Sequence, residues 1–201
     1  MAIQEFTGTY SGAAHFNQFN YEVQRTNHFE VLLDLKEVLE KSSFSWISKW
    51  ADSAPEHVRL STKSISAPKI SSEIIELRHG NNRVKVASAP SFDNLTLTVY
   101  DTIGVDQISV LQAWFDLVFN HQSGLMGCVD QYKASGWLYM YSPDCSFTRK
   151  WILEGVWPSE FGASSDFSFD SAEAQNISLT LAVDRYYEET QEERAALRLG
   201  N

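Results

Sequence analysis

Leu95, Leu97 and Val99 alternate with Thr96, Thr98 and Tyr100. A period of two admits an extended segment with one face buried and the other wet or interfacial. The pattern returns along the chain: Phe29, Val31 and Leu33 stand against His28, Glu30 and Leu32, Phe167 and Phe169 against Asp166, Ser168 and Asp170, and Ile177, Leu179, Leu181 and Val183 against Ser178, Thr180, Ala182 and Asp184. Segments of this kind must lay their apolar faces on a common core, so the fold class is mainly β with antiparallel, half-buried strands.

Shorter stretches fill the interval between these strands. Val58 to Ser66, Glu73 to Arg78 and Arg83 to Ala87 are rich in β-branched or alternating residues, and Pro68, Gly80-Asn81-Asn82 and Pro90-Ser91 punctuate them. Gly80, Asn81 and Asn82 tolerate positive φ, so residues 74–86 read as a hairpin. Trp137 to Tyr141 and Phe147 to Leu153 are expected as strands around a turn at Ser142-Pro143-Asp144.

Three regions switch to a helical period, the last of them at the C-terminal end. Ile108, Leu111, Trp114, Phe115, Val118 and Phe119 form an apolar stripe, with Asp106 available as N-cap and Gly124 beyond the end, which predicts one flanking helix. Leu35, Val38 and Leu39 recur at helical spacing ahead of Phe44, Trp46, Ile47 and Trp50, and Pro55 is expected to stop the run. Trp46 and Trp50 either cap the domain's own core or dock on a neighbour. The expected organisation is an N-terminal arm over 1–26, a β-domain over 27–187 with an insertion at 35–56, and a charged tail over 188–201. An amphipathic helix is expected from Tyr187 to Leu199.

The 201 residues carry 26 acidic and 16 basic side chains, a formal net charge of -10. That balance argues against gripping nucleic acid, which depends on lysine and arginine displacing counterions from phosphates, yet a negative wall lets a duplex pass without sticking. Cys128 and Cys145 form no CxxC pair and read as reduced, partly buried thiols. The five histidines are scattered with none at i, i+4, and no nucleotide or hydrolase signature is present, so no cofactor or metal is expected and the chain does not read as an enzyme. Asp166 and Asp170 are more simply solvated carboxylates than an acid/base pair. MAIQEFTGTY lacks a basic segment before an apolar run, so a soluble chain made in a cytoplasm, without membrane insertion, is expected.

Taken in order, several segments resemble one family. They are Phe29-Glu30-Val31, then Ser64-Ile65-Ser66-Ala67-Pro68, the strand Leu95 to Asp101, the helix with Trp114, and Trp151-Ile152-Leu153-Glu154-Gly155-Val156-Trp157-Pro158 followed at once by the late alternating strands. From Asn27 to Tyr187 the chain resembles the tail-tube proteins of contractile-tailed phages, which are similar to the tube proteins of R-type bacteriocins and of type VI secretion. The resemblance implies a small antiparallel β-barrel or sandwich with a flanking helix, assembled as stacked hexameric rings. It also implies tail sheath, baseplate and tail-terminator proteins as partners, a place in the virion tail after assembly in the host cytoplasm, and viral DNA that passes without tight binding. On this reading Asp166, Asp170, Thr180 and Asp184 face a lumen, while Trp46, Trp50, Ile74, Arg83 and Lys85 make inter-subunit or inter-ring contacts. A tube-fold protein at the baseplate is the first alternative; a soluble β-domain that binds a ligand, or an unrecognised hydrolase, is the second.

Overall fold

In a computed structural model, residues 24–41, 51–104, 107–143, 147–163, 169–170 and 173–189 are described. Alternation becomes structure most directly in β5 (Leu95–Tyr100), where Leu95, Leu97 and Val99 are buried and the residues between them face outward. Around it run β1 (Phe29–Leu33), α1 (Lys36–Glu40), α2 (Ala54–Ser61), β2 (Thr62–Ile65), β3 (Ile70–His79) and β4 (Asn82–Phe92) before it. After it come α3 (Gln107–Val118), β6 (Phe119–Asn120), β7 (Leu125–Met126), α4 (Val129–Tyr132), β8 (Ala134–Tyr141), β9 (Phe147–Ala163), β10 (Asn176–Ala182) and β11 (Arg185–Glu188).

Six strands follow the path β1-β8-β9-β10-β5-β2, and β11, paired to β9 off that path, is the seventh strand of the sheet. All these pairings are antiparallel. The long β9 serves two sheets: residues up to Val156 pair with β8 and β11, and from Trp157 onward they pair with β10. At the changeover Gly155 takes φ +66°, and a Cβ there would lie 2.1 Å from Asp184 Oδ2, so both the backbone conformation and the close approach require glycine. One core results, joining Val31 and Leu33 of β1, Leu138 of β8, Leu153 of β9, Ile177, Leu179 and Leu181 of β10, and the inward residues of β5. Helix α3 adds Val110, Leu111 and Trp114, and the Trp114 indole N–H donates to the Tyr132 carbonyl at 2.8 Å.

The class is thus mainly antiparallel β with a few helices, and the sheet path is open, ending on β1 and β2 rather than closing into a barrel. Between those ends lies an open cleft of about 640 Å³ walled by Phe29, Ile65, Leu138, Met140 and Trp151.

Several expectations are corrected. Pro55 opens α2 instead of stopping a helix, because the first turn needs no N–H from it, and the helix claims Val58 to Ser61 from the expected strand. The Thr62 hydroxyl donates to the Val58 carbonyl at 2.8 Å as the chain turns into β2. Pro90 and Pro158 lie inside strands, each beside a register shift where the ladder has an irregularity to absorb a missing donor. Phe119 leaves the helix for a small hairpin whose turn is held by Asn120 Oδ1 accepting from the Gln122 and Ser123 N–H groups. Phe169 and Asp170 form a turn, and Tyr187 and Glu188 belong to β11 rather than to a helix. The described part of the 35–56 insertion is private core, since Leu35, Val38, Leu39, Ala51 and Ala54 are all buried. Trp46, Trp50, Asp106, Cys145, Asp166, the arm over 1–23 and the tail from 190 onward lie outside the described residues.

Candidate assembly interface

The β3–β4 ribbon forms a two-stranded sheet of its own. His79 faces Asn82 across a two-residue loop, and Gly80 takes φ +61°, the left-handed conformation such loops require. Residues directly opposite one another share a face. Ile75 faces Val86 and Leu77 faces Val84, which makes one face apolar, while Glu76 faces Lys85 and Arg78 faces Arg83 on the other. The apolar four are exposed, Leu77 by 51% and Val84 by 49%, as is every other residue of β3. An isolated two-stranded ribbon with such a face is marginal in water and gains from a third layer.

The hairpin brings together three residues expected at contacts. Arg83 and Lys85 share the charged face, where Glu76 approaches them at 3.5 and 3.7 Å, and Ile74 lies opposite Ala87 on that same side. The apolar face itself was missed. Its signal was present, because the two-residue loop fixes the register that sets Val84 and Val86 beside Leu77 and Ile75.

At its base the hairpin meets Tyr186 of β11. The Tyr186 ring is buried and packs edge-on against Phe92 at 5.1 Å, and its hydroxyl accepts from the Lys69 N–H at 2.7 Å and the Asp93 N–H at 3.2 Å while donating to the Lys69 carbonyl.

The residues expected at a lumen do not share one strand face. Thr180 lies on the outward side of β10, opposite Thr96 and Glu160, and its hydroxyl donates to Glu160 Oε2 at 3.1 Å. Ser178 and Thr98 are the next outward pair, so this surface is mostly hydroxyls. Asp170 sits in a turn. Asp184 follows the end of β10 and pairs with Lys133 at 2.5 Å.

Several cations among the described residues are engaged within the chain. Arg149 pairs with Glu188 at 3.8 Å, Lys150 with the buried Glu189 at 2.9 Å, Lys69 with Asp93 at 3.9 Å, and Lys63 stands over the Tyr100 ring at 5.3 Å. Arg59 joins α2 to β1 by bonding Glu30, and it bonds Glu56 at 2.5 Å. The Tyr141 hydroxyl donates to the other Glu30 oxygen at 2.7 Å. Burial raises the Glu30 carboxyl, but the bonds from Tyr141 and Arg59 and the Arg59 charge outweigh it and leave the group below its ordinary 4.5. Burial, reinforced by the Glu30 bond, pushes the Tyr141 phenol up to about 12.

Cys128 is a free, exposed thiol, not a partly buried one, because α4 begins at the surface. Among the described residues no group of three His, Cys, Asp or Glu side chains is placed to hold a metal, and no helix is long and apolar enough to cross a membrane.

The chain, an open antiparallel sheet with a few helices and a separate two-stranded ribbon, shares its fold with tube components of contractile injection systems. The chain is similar to the anti-feeding prophage cap, the tube-terminating cap, with TM-score 0.59 at 18% identity over 94% of this chain and 99% of that one. It is similar to a chain of the sheath-tube complex of the extracellular contractile injection system PVC in its extended state, with TM-score 0.59 at 16% identity over 91% and 99%. The PVC sheath/tube terminator gives 0.58 at 17% identity over 84% and 98%. Residues 25–186 match the family of T4-like virus tail tube protein gp19, and the chain belongs to that family. Among curated proteins, none matches this sequence.

Proposed function

We propose that this tail tube protein is the repeating subunit of a hollow tube, in which hexameric rings stack inside a sheath between baseplate and terminator and guide viral DNA without binding it. The observation that carries this reading is the β3–β4 hairpin, which exposes Ile75, Leu77, Val84 and Val86 along a single face. A heterologous contact between that face and a neighbouring copy generates closed rings or open stacks. Trp46 and Trp50 join Ile74, Arg83 and Lys85 among the contacts proposed between subunits or rings. The protein acts mechanically and not as an enzyme, in a virion tail assembled in the host cytoplasm.

The hydroxyl face of β10 and β5, with Thr180 at its centre, is proposed as part of the conduit wall, together with Asp166, Asp170 and Asp184. In support of a wall that does not trap DNA, Arg59, Lys63, Lys69, Arg83, Lys85, Arg149 and Lys150 are each engaged by a carboxylate or a ring of their own chain. Phosphates would therefore meet these seven cations already engaged.

The test is the double substitution Ile75→Asp and Val84→Asp. Both side chains are exposed in the single chain, so the variant should fold with a melting temperature close to the parent's. Negative-stain microscopy at raised concentration should show tubes for the parent and none for the variant. Tubes of normal length from the variant would exclude the hairpin face as the contact, and rings that never stack in the parent would favour a baseplate-proximal member of the family.

A further inference from the structure

The hairpin enters and leaves the body at Lys69 and Asp93, and one side chain addresses both. Tyr186 is 2% exposed, and its hydroxyl reaches the Lys69 N–H, the Asp93 N–H and the Lys69 carbonyl. One proton and two lone pairs are all that a phenol offers, so the group is fully committed to these backbone partners. Other bonds at this end are weaker ties. The Asp93 N–H also reaches the Lys69 carbonyl at 3.3 Å, and the Lys69–Asp93 ion pair is 3.9 Å long and exposed. Tyr186 is held in turn by the pairing of β11 with β9, where it lies opposite Leu153. The hydroxyl therefore ties the ribbon to the long strand that joins both sheets.

Leverage makes this tie consequential. From base to loop the ribbon is ten residues of β3, roughly 33 Å at the usual rise per residue. A tilt of about 10° at the base displaces the tip by about 6 Å, more than the spacing between neighbouring strands. A ribbon so displaced would present Leu77 and Val84 to the wrong place on a neighbour.

We propose that Tyr186 is a positioning residue that sets the angle of the β3–β4 hairpin through its hydroxyl, so that the apolar face meets a second copy of this chain in register. The proposal rests on the reading of that face as the contact between copies. Packing alone would be served equally by phenylalanine; the hydroxyl is what the base of the hairpin uses.

The experiment compares Tyr186→Phe with a control, Ile177→Val, which trims a buried β10 side chain. Amide hydrogen exchange on the unassembled protein should quicken roughly tenfold across residues 69–93 in Y186F, as expected when local opening loses its restraint, while β5 and β10 amides move no more than in the control. Tubes of Y186F should be shorter or absent, and those of I177V normal. Equal exchange across the hairpin in both variants, or loss of the folded monomer in Y186F, would overturn the proposal by making the hydroxyl a general stabiliser. A loosened hairpin with normal tubes would also overturn it. The I75D/V84D protein separates the two failures: if it loses tubes while Y186F keeps them, only the role of Tyr186 falls; if both keep them, the hairpin contact falls as well.

Discussion

Glu30 shows how a residue on the wet face of a strand acquires a structural role. Its outward position follows from alternation, but its partners come from far along the chain, Arg59 on α2 and Tyr141 on β8. No periodicity reports a meeting across such separations. Because the folded carboxyl titrates below its ordinary 4.5, the clamp contributes stability above that pH and loses it as pH falls through the lower, folded value. Glu30→Gln should therefore cost about 1 kcal/mol at neutral pH, a charged hydrogen bond discounted for partial exposure. Urea melts of parent and variant should converge as the pH is taken well below 4.5. A difference unchanged at low pH would show that the carboxylate charge is not the source. Tyr186, by contrast, offered no sign of its role, since a tyrosine between Arg185 and Tyr187 carries no periodic signal of burial.

Among the elements, those legible in sequence were the ones whose pattern belongs to a single environment. β5 and β10 alternate cleanly because one face of each lies on the core throughout, whereas α3 turns Val110, Leu111 and Trp114 to the core and leaves Ile108, expected on the stripe, exposed. β9 was legible only to Leu153. Beyond it the strand changes partners at Gly155, so its inward face is defined against two different sheets and a single period does not continue. The glycine is the marker of that change. Gly155→Ala places a side chain in a left-handed conformation and against Asp184, and should lower stability by about 1–3 kcal/mol. Thermal unfolding checks this, and a melting temperature equal to the parent's would mean that β9 turns without glycine's freedom. α2 was misread because Val58 to Ser61 carries β-branched and polar residues suited to either state, and the choice was made by Val58 and Ala54 reaching the core.

At the scale of the whole molecule the acidic balance and the engaged cations bear on passage of DNA. Thr180→Lys alters the outward face of β10, so the fold should persist. If that face lines the conduit, each subunit gains one phosphate contact. DNA retention by purified tubes should then rise at low salt and fall as salt is added, steepening the log–log slope by about 0.9 per contact engaged. Retention equal to the parent's at low salt would remove Thr180 from the wall. The sequence by itself determined the mainly β class, the helix carrying Trp114, the existence of the hairpin and the net charge, because each depends on neighbours within a few residues or on simple composition. Tertiary structure alone decided that the sheet path stays open between β1 and β2, that β9 divides between two sheets, that the start of the insertion is core, and that Tyr186 closes the base of the hairpin. These are relations between segments up to 117 residues apart. Local pattern fixes which face of each segment is apolar; which surface covers that face is set by packing all of them at once.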